Sequence, residues 1–195
     1  MTSRSLLRNS AAAALIALSA VGVGLPAVSV LAQEAPIAKE KNPPGDIPDD
    51  QVFIVYKSTL GFSLKVPEGW GRKDAPDGTS FADKYGQIVI SIKPVNAPLT
   101  LASARAGDVL ELEKAGHAVK VSAVTEVKLP AGPAIRIVFG SNSEPNAVTG
   151  KQIRLENERF LIGHGDKVAT LTFSAPAGAD NADQWTLMSQ SFGWH

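Results

Sequence analysis

From Gln51 onward apolar and polar positions alternate with the period of two that marks strands, interrupted twice by a helical period. QVFIVYK (residues 51–57) leads through a Ser58-Thr59-Leu60-Gly61 corner into FSLKVP, where Phe62, Leu64 and Val66 alternate with Ser63 and Lys65. Pro67-Glu68-Gly69-Trp70-Gly71 stops that strand, and RKDAPDG has the proline, aspartates and glycine of a surface loop. TSFADKY and QIVISIKP, separated by Gly86, predict a hairpin whose second strand sets Ile88, Ile90 and Ile92 on one face and Val89 and Ser91 on the other.

Pro94 to Pro98 breaks the sheet, and Leu99 to Ala115 predicts an amphipathic helix. Thr100 or Ser103 caps it, Gly116 stops it, and Ala102, Ala106, Val109 and Leu112 share the face opposite Arg105, Glu111 and Lys114. Three strand-like stretches follow: AVKVSAVTEVKL, AIRIVFGSN and KQIRLENERFLIGHG, with a polar loop from Ser141 to Gly150 between the last two. In KVATLTFSAP, Val168, Thr170, Thr172 and Ser174 face one way and Ala169, Leu171 and Phe173 the other. A terminal helix starts near Asp180 or Asn181 and carries Trp185, Met188 and Phe192 on its core side. Four strands, a helix, four strands and a helix predict an α+β domain over 51–195, with an antiparallel β-sheet flanked by helices.

The preceding residues have a different grammar. Arg4 and Arg8 are followed by an uncharged run from Ala11 to Leu31, the basic and apolar regions of an export signal, with cleavage expected after Ala32. The run is about as long as the roughly 20 residues a membrane anchor needs, but Gly22, Gly24 and Pro26 interrupt its helix and favour a cleaved signal peptide over 1–32. Residues 33–50, QEAPIAKEKNPPGDIPDD, have four prolines and almost nothing to bury, and read as a disordered spacer.

Composition narrows the function classes. The chain has no cysteine, so lipoprotein attachment is excluded and the folded part must be held by its core alone. Lysine plus arginine equals aspartate plus glutamate, and loss of Arg4 and Arg8 leaves 17 basic against 19 acidic residues, with no basic footprint for nucleic acid. No later segment is apolar for long enough to span a membrane, so no stable span is expected once the signal is removed.

The residues at this point resemble the Mog1/PsbP-like superfamily, which includes the extrinsic photosystem II protein PsbP and many exported bacterial domains. The resemblance rests on Gly61-Phe62-Ser63-Leu64-Lys65-Val66-Pro67-Glu68-Gly69-Trp70, on the middle helix, and on Thr170-Leu171-Thr172-Phe173-Ser174-Ala175-Pro176 before a terminal helix ending in Ser191-Phe192. It covers most of Gln51 to Trp194. It implies an α-β-α sandwich around an antiparallel sheet and an accessory or binding role without catalysis.

The residues offer little catalytic chemistry of their own. His117, His164 and His195 are the only histidines and lie far apart, so no metal-ligand spacing is present; His164, between two glycines, reads as a turn. No Gly-x-Ser-x-Gly elbow and no phosphate loop occurs. Glu156 and Glu158 share a strand face, yet beside Arg154 and Arg159 they read as a solvated, ion-paired surface. No cofactor is expected. The candidate binding residues are Trp70, Phe81, Tyr85 and Trp194, aromatic side chains near turns or the terminus that either form an exposed recognition patch or plug the ends of the core. The expectation is a periplasmic or secreted, non-catalytic protein that binds an envelope protein through a sheet edge or its aromatic turns. The alternatives are a carrier of a small apolar ligand between sheet and helices, and a hydrolase.

Overall fold

The computed structural model describes residues 34–195; the expected signal peptide, 1–32, lies outside the described residues. Among the described residues ten strands and three short α-helices follow one another. β1 (Phe53–Lys57) and β2 (Phe62–Pro67) form an antiparallel hairpin, and β2 pairs on its other side with β10 (Gly193–Trp194). The remaining strands make a second, seven-stranded sheet in the order β3-β4-β5-β9-β8-β7-β6. They are β3 (Gly71–Ala75), β4 (Gly78–Ala82), β5 (Gln87–Pro94), β6 (Lys120–Leu129), β7 (Gly132–Asn142), β8 (Arg154–His164) and β9 (Lys167–Pro176). Every pairing in both sheets is antiparallel.

Side-chain alternation gives the large sheet two apolar faces. Ile88 and Ile90 of β5 stand across from Phe173 and Leu171 of β9, and Phe160 and Ile162 of β8 continue that face. The small sheet packs Phe62, Leu64 and Val66 onto it, together with Trp185 and Met188 of α3 (Ala182–Ser191) and Phe192 just beyond. On the opposite face Ile135, Ile137, Phe139 and Leu161 receive Ala104, Val109 and Leu112 from the middle helix. One outer layer is therefore helical, and the other combines a small sheet with a helix.

The middle helix differs from its expected phase. It consists of α1 (Leu101–Ala104), a π-helical turn (Arg105–Val109) and α2 (Leu110–Lys114). Thr100 and Ser103 cap its start reciprocally, as their spacing predicts. Ala102 and Ala106, expected on the buried face, are exposed, and Ala104 is buried instead. The π-turn is the reason: it adds a residue to one turn, so Ala104 sits below Val109 at a spacing an ideal α-helix does not align.

Three further readings are corrected. RKDAPDG is mostly strand: β3 turns at Pro76-Asp77 into β4, so five strands rather than four precede the helix. All five residues of β3 are exposed, so pairing with β4 rather than burial defines it. Residues 34–50 have no helix or strand, yet they are fastened to the domain. Ile47 is 6% exposed, its N–H donates to Asn181 Oδ1 at 2.7 Å, and the Ile37 N–H donates to Asn142 Oδ1 at 3.0 Å. Gly193 and Trp194 add the short strand β10 after the last helix.

Candidate functional site

A strand with an unpaired edge exposes backbone donors and acceptors, and proteins protect such edges with charge, bulges or cover. β3 at one margin of the large sheet is covered in charge, with Arg72, Lys73 and Asp74 all exposed. β6 at the other margin carries a bulge between Val121 and Ala123 and the exposed residues Lys120, Glu126 and Lys128. Arg105 on the middle helix also donates to the Val124 carbonyl of β6 at 3.3 Å. β10 is only two residues long.

Among the described residues β1 has none of these protections. Val52, Ile54 and Val55 are 57%, 48% and 60% exposed, and Lys57 is the only charged residue in the strand. The hydrogen bonds from Ser58 N–H to the Phe62 carbonyl and from Glu68 N–H to the Val52 carbonyl fix the phase of the β1–β2 ladder. Even-numbered residues of β1 thus bond to β2, and the N–H and C=O groups of Phe53, Val55 and Lys57 point to the free edge. Pro67, which has no N–H to give, stands across from Phe53 at a position that needs none.

The four aromatic candidates do not form one patch. Phe81 is 4% exposed and meets the Tyr56 ring edge-on at 5.1 Å, so of its two readings it is a plug of the core and not part of an exposed patch: its register partner Ile88 draws it inward. Trp70 is half-buried against that core, its ring over Gly86. Tyr85 alone is exposed, at 37%, with the Lys84 ammonium 4.9 Å from its ring centre. Trp194 is half-buried on β10, stacked on His164 at 5.4 Å and edge-on to Phe192 at 5.3 Å.

The titratable candidates are engaged in contacts within the fold. Glu158 pairs with Arg136 rather than with Arg154 or Arg159, and Glu156 accepts the Gly178 N–H at 3.2 Å. Arg154 donates to the Ala118 carbonyl at 2.9 Å. Arg159 lies on the opposite face and donates to Thr172 Oγ1 at 2.9 Å, its guanidinium over the Phe139 ring. Burial lowers the Arg159 pKa, and burial raises that of Asp108 in the π-turn, partly offset by the Arg159 charge. His117 Nε2 lies 3.2 Å from Glu144 Oε1, and its buried Nδ1, 3.8 Å from Glu34 Oε2, has no hydrogen-bond partner among the described residues. Among the described residues no three His, Cys, Asp or Glu side chains gather as a metal site would require.

One surface groove is largely apolar, with a volume of about 630 Å³. It is open to solvent and lined by Leu99, Val127, Pro133, Ala134, Ile135 and Gly163 together with the charged Glu126 and Lys128.

No protein-family model matches the chain, and no curated protein sequence does. Solved structures do. The solution structure of cyanobacterial PsbP (CyanoP) from Synechocystis sp. PCC 6803 aligns with TM-score 0.53 at 14% identity, over 77% of this chain and 98% of that one. The Saccharomyces cerevisiae Ran-binding protein Mog1p aligns with TM-score 0.52 at 12% identity, over 74% of this chain and 96% of that one. The chain has the Mog1/PsbP-like fold.

Proposed function

We propose that the protein is an exported, non-catalytic accessory protein that binds a protein partner by strand addition along β1. The observation that carries this reading is the contrast among sheet edges: β3 and β6 are protected by charge, a bulge and Arg105, and β1 is apolar and bare. An added strand would take the free N–H and C=O groups of Phe53, Val55 and Lys57 and cover Val52, Ile54 and Val55. The fold relatives support a binding role, since one is named as a Ran-binding protein. Export rests on Arg4, Arg8 and the uncharged run to Leu31, with the mature chain beginning at Gln33 in the periplasm or outside the cell.

The test is affinity capture from an envelope extract with the full chain and three variants. Val55→Pro removes an outward-facing donor without disturbing the β2 ladder, Val55→Lys charges the edge, and Leu187→Lys alters an exposed residue of α3 as a control. A protein retained by the wild type and by Leu187→Lys but lost from both edge variants supports the reading. Capture that ignores β1 overturns it.

A second reading, a carrier of a small apolar ligand, is favoured by the groove between Leu99 and Gly163. Native mass spectrometry of the purified protein decides it: a retained small molecule displaced by Ala134→Trp supports the carrier.

A further inference from the structure

We infer that the strand β1 takes up is the β1 of a second copy of this chain, paired antiparallel about a two-fold axis at Val55. The inference rests on the reading of β1 as a docking edge and names its occupant.

Charge complementarity selects that occupant. The start of β1 is acidic, with Asp50 just before the strand and Glu68 across from Val52, and both are exposed. Its end is made basic by Lys57 in the strand, since Arg72, over the Tyr56 ring at 5.6 Å, is ion-paired with Asp74 at 3.3 Å. Antiparallel pairing of two such strands sets each acidic end beside the basic end of the other copy. Parallel pairing would set like charge against like.

The backbone phase selects the register. Only Phe53, Val55 and Lys57 present N–H and C=O groups to the free edge, so a two-fold axis through Ile54 or Tyr56 would bond only two of them and one through Val55 bonds all three. Centring on Val55 uses all three: Val55 bonds Val55 of the second copy, and Phe53 bonds its Lys57. The same register lays Ile54 across from Tyr56 of the second copy, covering the apolar surface that makes β1 unlike the other edges. The two small sheets become one continuous sheet across the axis, an isologous contact that closes on itself.

The chain has no cysteine, which makes the test clean. In the proposed register the two Val55 Cα atoms lie about 5.5 Å apart, inside the window of about 4.4–6.8 Å that a disulfide spans. The full chain carrying Val55→Cys is oxidised with copper phenanthroline and run on a non-reducing gel, beside Val148→Cys at a 92% exposed loop position as the collision control. The expected result is a covalent dimer forming at least tenfold faster from Val55→Cys, with Val52→Lys in the same background slowing it. Bridging no faster than at Val148→Cys overturns the inference. Should that occur while Val55→Pro still abolishes capture of an envelope protein, strand addition along β1 stands and the second copy is not the occupant. Should edge-dependent capture also be absent, both readings fall.

Discussion

Asn142, at the end of β7, donates from Nδ2 to Glu34 Oε1 at 2.7 Å and so ties the first described residue to the large sheet. The same amide donates to the Ala35 carbonyl at 2.9 Å, and its oxygen accepts the Ile37 N–H and Arg154 Nη1, each at 3.0 Å. A side chain only 3% exposed thereby organises a segment with no secondary structure of its own.

Replacing Asn142 with alanine leaves the Ile37 N–H and Arg154 Nη1 without this acceptor. Unsatisfied groups in such surroundings cost about 1–3 kcal/mol. Asn142→Ala is expected to lower the unfolding free energy by that amount and to speed proteolysis within 34–41. Urea unfolding and timed trypsin digestion at Lys39 and Lys41 measure the two effects. An unchanged cleavage rate would show that contacts elsewhere hold the segment.

The Glu34 carboxylate has a pKa below its ordinary value because Asn142 donates to it, helped by Gln152 and the nearby His117. A carboxylate depressed in the folded state contributes stability above its unfolded pKa of about 4.5, and loses it as pH falls through the lower folded value. The Asn142 and Gln152 side-chain amide resonances should therefore shift together, with a midpoint below pH 4.5. Glu34→Gln should abolish that titration, and a midpoint above 4.5 would contradict the geometry.

The large sheet was legible where one face is buried. Ile88, Ile90 and Ile92 alternate with Val89, Ser91 and Lys93 because β5 lies between β4 and β9 and shows only one face to the small sheet. β3 was illegible because its residues face water on both sides and only its hydrogen bonds to β4 define it. The middle helix was placed but misphased, since a helical wheel assumes 3.6 residues per turn and the π-turn breaks that assumption. The edge was hidden for a different reason: FIVYK has the composition of a buried strand, and nothing in it says that no strand lies beyond. Phe81 shows the converse, a residue beside a turn that its partner Ile88 carries inward.

Phe62 joins the two sheets. It is wholly buried, with its ring stacked on Phe192 at 5.8 Å and tilted to Tyr56 at 6.1 Å, and its backbone is paired with Trp194. Phe62→Ala should cost about 3–5 kcal/mol, the range for emptying a buried aromatic site. Chemical denaturation should show the loss. A cost under about 1 kcal/mol would mean that the small sheet contributes little to the common core.

Two glycines should respond in opposite directions to the same methyl group. A Cβ on Gly78 would land on the Ile90 carbonyl oxygen and 3.1 Å from Ser91 Cα, backbone atoms of a central strand that cannot rotate away. Gly78→Ala should cost about 1–3 kcal/mol through overpacking. Gly107, in the π-turn, has nothing within 4 Å of where its Cβ would stand, and its φ lies outside the left-handed range. Alanine there loses less backbone entropy on folding and should stabilise the helix by up to about 1 kcal/mol, raising Tm by about 2–4 °C. Differential scanning calorimetry of both variants separates the outcomes. A destabilised Gly107→Ala would mean that the π-turn needs the freedom of glycine and that its geometry, rather than its lack of neighbours, governs the site.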